Sequence, residues 1–208
     1  MKKLVAVILS VILVMVPTVA LAKEPALTVP DDGIIGYLTD DNGNTIEVKG
    51  FIVETAMVNF LDADLSVTYG FNLAVPTSTN GSGEYTESSP DTAMESTVYL
   101  TIYYKTQNPS TGTTYLLTSV SGYWEIDRPN SVSVESASVR YGCSDIGTTQ
   151  SRTRAVGNNF SFSTGFSNYV SRIGGVMGAR LTVNYLMGTS RRWSFTLTNN
   201  LFNDGITY

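Results

Sequence analysis

Between residues 65 and 75 the chain reads Leu-Ser-Val-Thr-Tyr-Gly-Phe-Asn-Leu-Ala-Val, with an apolar residue at nearly every second position. Successive side chains of an extended strand point to opposite faces, so Leu65, Val67, Tyr69, Phe71, Leu73 and Val75 share one face and small or polar residues the other. Such a strand has to bury one face. The same period recurs at 97–105, where Val98, Leu100, Ile102 and Tyr104 alternate with Thr97, Tyr99, Thr101, Tyr103 and Lys105. It returns at 159–163, with Phe160 and Phe162 in register, at 179–186, and at 192–198, with Trp193, Phe195 and Leu197. Helical spacing is almost absent beyond the first twenty residues. The chain therefore predicts an all-β fold, a β-sandwich of immunoglobulin-like or jelly-roll-like type, with a partly closed barrel as the second choice.

Turn signals divide the strands. Asp40-Asp41-Asn42-Gly43-Asn44 supplies residues that accept positive φ between runs at 34–38 and 45–54, which predicts a hairpin. Asn108-Pro109-Ser110-Thr111-Gly112 does the same before 114–126, and 187–190 joins the last two runs. From 131 to 141 the pattern changes phase, Val132 and Val134 against Val139 and Tyr141, which predicts a bulge near Ser136. Residues 77–96, rich in Ser, Thr, Gly and acids, read as a long flexible loop.

The first residues have a different character. Met1-Lys2-Lys3 precedes an apolar run over 4–16, then Pro17 and Ala20-Leu21-Ala22. A basic start, a short apolar stretch and small residues at a cleavage position make a signal peptide over 1–22, and a stable span would need about 20 continuous apolar residues. The expectation is a secreted, extracellular domain over 23–208 without a membrane span, of bacterial character. Its C-terminal residues show neither an apolar tail nor a sorting signal, so no covalent anchor is expected.

An exported domain with one cysteine, Cys143, forms no internal disulfide, so its core has to hold it together. Cys143 itself reads as a small buried hydrophobe beside Tyr141, against the alternative of a reactive or intermolecular thiol. Beyond residue 22 there are eleven cations and eighteen acids, a net charge of −7, which disfavours nucleic acid as a partner. The charge is uneven: residues 23–100 hold two lysines against thirteen acids, and residues 101–208 hold nine cations against five acids. Compensation within the fold is the simple reading; head-to-tail assembly is the alternative.

The chain contains no histidine. That removes Ser-His-Asp and Cys-His catalysis and most catalytic zinc sites. Lys23, Lys49 and Lys105 stand in no Ser-x-x-Lys arrangement, and Gly174, Gly175 and Gly178 lack the lysine of a phosphate-cradling loop. A two-carboxylate hydrolase stays open, with Glu47, Glu54, Glu125, Asp127 and Glu135 as strand-associated acids, but no pair stands out and no catalytic residue is named. Asp31-Asp32 and the turn at 40–44 carry oxygen ligands suited to calcium. EF-hand spacing would place glycine where Thr45 stands, so a hairpin turn accounts for these residues and no metal or cofactor is assigned.

Binding residues remain. Tyr99 and Tyr103 share the Thr-bearing face of one strand, an amphipathic strip that could stack on sugar rings, or that simply packs against cross-strand neighbours. In the adjacent pair Tyr123-Trp124, Trp124 is expected in the core. Arg152, Arg154, Arg191 and Arg192, with Arg172, could converge as a basic surface. The expectation is a secreted, non-enzymatic protein that binds a cell-surface glycan, a wall polymer or a protein partner. The rivals are a carboxylate hydrolase and a subunit assembling through its oppositely charged halves.

Overall fold

The structure, a computed structural model, describes residues 34–57, 65–76, 92–108, 110, 112–127 and 132–203. The expected signal peptide over 1–22, the Asp31-Asp32 pair and residues 77–91 of the expected loop lie outside them. The described chain is all-β, with β1 (Ile35–Asp40), β2 (Thr45–Met57), β3 (Leu65–Pro76), β4 (Thr92–Gln107), β5 (Thr114–Ile126), β6 (Val132–Ser144), β7 (Thr149–Ala155), β8 (Asn159–Ser163), β9 (Val170–Ser171), β10 (Val176–Met187) and β11 (Arg191–Asn203). Strand β4 starts at Thr92 and pairs there with Pro76, so the last residues of the expected loop belong to the ladder.

All strands join one sheet in the order β7-β6-β10-β11-β1-β2-β3-β4-β5-β8, each neighbour antiparallel, with β9 attached to β5. The sheet curls into a half-barrel, so β10 and β11 face β3, β4 and β5 across the interior and β6 faces β5. Two layers face each other as in a sandwich, but the β1–β2 pairing makes them one continuous sheet. The partly closed barrel describes it more closely.

Alternation decides which face turns inward. Val67, Tyr69, Phe71, Leu73, Val98, Leu100, Ile102, Val120, Val139, Leu181, Val183, Phe195 and Leu197 are all buried in a single core. Burying such a side chain contributes about 1.5–3 kcal/mol. Cys143 is fully buried there, and burial pushes its thiol above the ordinary value, as befits a small hydrophobe. Trp124 is core, as its alternation implied.

The curl is made at β1 and β2. Phe71 of β3 and Phe195 of β11 approach the hairpin from its two sides and meet edge to face, ring centroids 5.5 Å apart. They fit because Gly36 and Gly50 carry no Cβ: one added at Gly50 would stand 2.5 Å from the Phe71 ring, and one at Gly36 2.7 Å from the Phe195 ring. Glycine at a strand interior marks such a tight corner. Deeper in the core Asn199 of β11 donates from Nδ2 to the Val67 carbonyl at 3.0 Å and the Leu100 carbonyl at 2.8 Å. One buried amide thus ties the two layers together.

The phase change near Ser136 is a bulge. The β6–β10 register shifts between Asn184 and Tyr185, leaving Glu135 without a partner on β10 and turned outward. Strand β7 is the element that period-two reading misses. Its sequence Thr-Gln-Ser-Arg-Thr-Arg-Ala has no apolar member on the face it shares with Tyr141 and Val139, because it is an edge strand.

The corner glycines are constrained by space. Gly50→Ala should lower stability by about 1–3 kcal/mol, the usual result of overpacking. Phe71→Ala, which empties the same corner, should lower it by about 3–5 kcal/mol. Urea titration followed by tryptophan fluorescence measures both; an unchanged midpoint for Gly50→Ala would show that the corner can relax.

Candidate functional site

The outer face of β2 to β5 carries a row of residues that runs across the strands. Phe51 of β2 stands opposite Gly70 of β3, Gly70 opposite Tyr99 of β4, Tyr99 opposite Tyr123 of β5, and Tyr123 opposite Asn159 of β8. Directly opposed residues point to the same face. Tyr99 and Tyr123 stack with ring centroids 4.5 Å apart and planes inclined by 22°. Phe51 meets Tyr99 edge to face at 6.5 Å. Gly70 makes this possible, because a Cβ there would stand 2.7 Å from the Phe51 ring and 3.0 Å from Tyr99. The ends of the row stay open: Phe51 and Tyr123 are each 40% exposed, Tyr99 about half-buried between them. Partial burial, and then the neighbouring Tyr99, hold the Tyr123 phenol above its ordinary value, so it is a neutral hydroxyl.

Hydroxyls and amides flank the row. On one side lie Thr68, Thr101, Ser121 and Ser161, opposed in turn, with Thr68 and Thr101 hydrogen-bonded at 2.9 Å. On the other lie Asn72, Thr97 and Glu125, with Thr97 donating to Asn72 Oδ1 at 3.3 Å. Tyr103 belongs to this face, yet it does not extend the row: its hydroxyl accepts from Ser121 Oγ at 3.4 Å. Tyr99 and Tyr103 are thus separate along β4, and the aromatic strip runs across the strands. Phe51 and Tyr123 complete it, and their alignment with Tyr99 across the strands does not follow from alternation within one strand. An isolated glycine in a strand, Gly70, is the signal that an aromatic ring crosses the backbone there.

The arginines do not converge. Arg152 and Arg154 sit on edge strand β7, where Arg152 Nη1 donates to the Thr164 carbonyl at 3.1 Å and its guanidinium lies 5.7 Å from the Phe166 ring. Arg154 stands 4.8 Å over Phe162. Gln150 joins them, donating to the Asn168 carbonyl at 2.8 Å and accepting from Ser167 N–H and Asn168 N–H. These side chains close the seam between the two sheet edges, above an aromatic cluster of Tyr141, Phe160, Phe162 and Phe166. Arg191 and Arg192 lie at the β10–β11 turn, paired toward the far end of β6. Arg192 binds Glu135 through Nε and Nη2, both at 3.0 Å at closest. That pairing holds Glu135 below the ordinary carboxylate value, the opposite of a general acid.

The calcium-like turn has another use for its oxygens. Asp40 Oδ1 accepts from Asn42 N–H at 2.9 Å and Asn44 N–H at 2.8 Å, and Oδ2 from Asn44 Nδ2 at 2.8 Å. Gly43 takes φ 86° in the same turn. Among the described residues no three Cys, Asp or Glu side chains gather as a metal site. Comparison with protein-family models, curated proteins and solved structures finds no match. Any functional reading therefore rests on the surface itself.

The hydrogen bonds from Asn44, then Asn42, lower the Asp40 pKa. A carboxyl lowered in the folded state stabilises the fold above its unfolded pKa, and that contribution disappears as pH falls through the folded value. Asp40→Ala should melt earlier than the parent at pH 7, and the gap should close toward pH 2–3. Equal gaps at both pH values would show that the ionised carboxylate contributes nothing to the turn.

Proposed function

We propose that this protein is an exported, non-enzymatic β-domain that binds a neutral cell-surface glycan on the outer face of β2 to β5. The observation that carries the reading is the cross-strand row of Phe51, Tyr99 and Tyr123, open at both ends and bordered mainly by neutral hydrogen-bonding groups. With strands about 4.8 Å apart, the row from β2 to β5 is roughly 14 Å long, the scale of a short oligosaccharide. Aromatic rings supply apolar faces for the C–H surfaces of a sugar, and the Thr, Ser and Asn side chains supply donors and acceptors without charge. Glu125 and Lys49 are charged residues at its borders, and Glu54 stands opposite Thr68 in the ladder. A rigid sheet presents these groups in fixed positions, which reduces the ordering cost of binding. The signal-like residues 1–22 support export, and the lack of histidine supports binding over catalysis.

Titration of the protein against a panel of soluble oligosaccharides and insoluble polysaccharides tests this. Phe51→Ala and Tyr123→Ala should each weaken binding about tenfold, near 1.4 kcal/mol. Tyr103→Phe should leave it unchanged, because that hydroxyl turns to Ser121. No saturable binding across the panel, or full affinity in the Phe51→Ala/Tyr123→Ala double variant, would remove the reading.

A further inference from the structure

The end of the half-barrel where β6 and β10 meet carries two isoleucines in water. Ile146, in the β6–β7 turn, is 93% exposed, and Ile173, in the β9–β10 turn, is 83% exposed. The turns touch: a Cβ at Gly174 would lie 3.2 Å from Ile146 Cδ1. Asp145 locks them together, accepting from Gly147 N–H at 3.0 Å on Oδ1 and from Ser171 N–H at 3.1 Å on Oδ2. Asp145 N–H bonds the Thr148 carbonyl at 2.8 Å, Gly175 N–H bonds the Arg172 carbonyl at 3.2 Å, and Gly174 takes φ +65°. Two of the most water-averse side chains are thus held out on a braced tip. Neither side chain contributes to the core.

The surroundings are cationic. From residue 136 to 189 the chain holds five arginines and one acid, Asp145, a net charge of +4. Arg172 is exposed beside Ile173. Arg140 and Arg180 are exposed cross-strand neighbours four residues from the strand ends, roughly 13 Å behind the tip. Asp145 keeps its charge and offsets one of the five arginines, which leaves the segment net positive. An apolar protrusion backed by positive charge matches a surface with an apolar interior under an anionic layer. A soluble polyanion would use the arginines and leave the isoleucines without a purpose.

We infer that the β6–β7 and β9–β10 turns dock this domain on an anionic lipid surface, Ile146 and Ile173 entering the acyl boundary while Arg172 meets phosphate headgroups. A short apolar insertion binds a bilayer marginally, and nearby cationic residues strengthen it about fivefold each on an anionic leaflet. The docking site is separate from the aromatic row, so either can stand without the other.

Co-sedimentation of the protein with phosphatidylcholine vesicles, with and without phosphatidylglycerol, over a salt series tests the inference. Binding should need phosphatidylglycerol, fall as salt rises, drop at least tenfold in Ile146→Ser/Ile173→Ser and drop about fivefold in Arg172→Ala. Both isoleucines are exposed, so the double variant should melt with the parent. Ile146→Trp should show a blue-shifted emission on adding vesicles, which reports insertion directly whatever the stability of the serine variant. No sedimentation with anionic vesicles at low salt would overturn the inference. So would unreduced binding in the double variant, an unshifted Ile146→Trp emission, or binding to inorganic polyphosphate that matches the vesicle affinity.

Discussion

The edge-to-face contact of Phe71 and Phe195 decides the shape of the molecule. These rings come from strands on opposite sides of the β1–β2 hairpin, and they can touch only if the sheet folds along that hairpin. Gly36 and Gly50 remove the two Cβ atoms that would hold the rings apart. Once the corner forms, the apolar faces of β10 and β11 come to lie over β3, β4 and β5, and the core of the half-barrel is closed. Asn199 then finds the Val67 and Leu100 carbonyls across the gap. In such a structure the outer face is free of core duties, and the Phe51–Tyr123 row and the isoleucine tip can be read as surface features.

Much of this was legible in the residues. Alternation placed Leu65, Val67, Tyr69, Phe71 and Leu73 inside, and all are buried. The phase change around Ser136 signalled the bulge that turns Glu135 outward. The Asn-Gly turn located the first hairpin. What alternation cannot show is which strand lies beside which. The aromatic row exists because Phe51, Gly70, Tyr99 and Tyr123 fall into one register across four strands, and their spacing in the chain of 19, 29 and 24 residues carries no trace of it. Ile146 and Ile173 fall between strands, outside the alternating runs, so the spacing carries no sign of them either. Strand β7 was hidden because an edge strand over an open seam has no apolar face to display.

The seam explains why the arginines of β7 do not form a surface with those of the β10–β11 turn. Arg152, Arg154 and Gln150 substitute side-chain bonds and ring contacts for the ladder that would have closed a full barrel. Two strand edges consequently remain near one another, bridged by side chains of β7 that meet backbone groups and rings of the other edge. Positive charge along β7 also disfavours pairing of this edge with the same edge of another molecule. Four arginines of the basic half come together in space, because β6, β7 and β10 are adjacent and carry Arg140, Arg152, Arg154 and Arg180. The Glu135–Arg192 pair also forms within residues 101–208.

Near the middle of the sheet β11 lies beside β1, the last described strand against the first. Strands β2 to β5 can zip up as successive hairpins while the chain is still being made, since each pairs with its neighbour in sequence. Strand β1 has to wait. Its second partner emerges more than 150 residues later, when Arg191 to Asn203 are complete. Until then Phe71 has no Phe195 to meet, and the apolar inner face of the first half stays open to water and to other chains. Pairing across such a sequence distance is slow, and the waiting surface is prone to aggregation. A chain truncated before β11 would therefore lose far more than one strand: β7, β6 and β10 would be left with no strand to join them to β1.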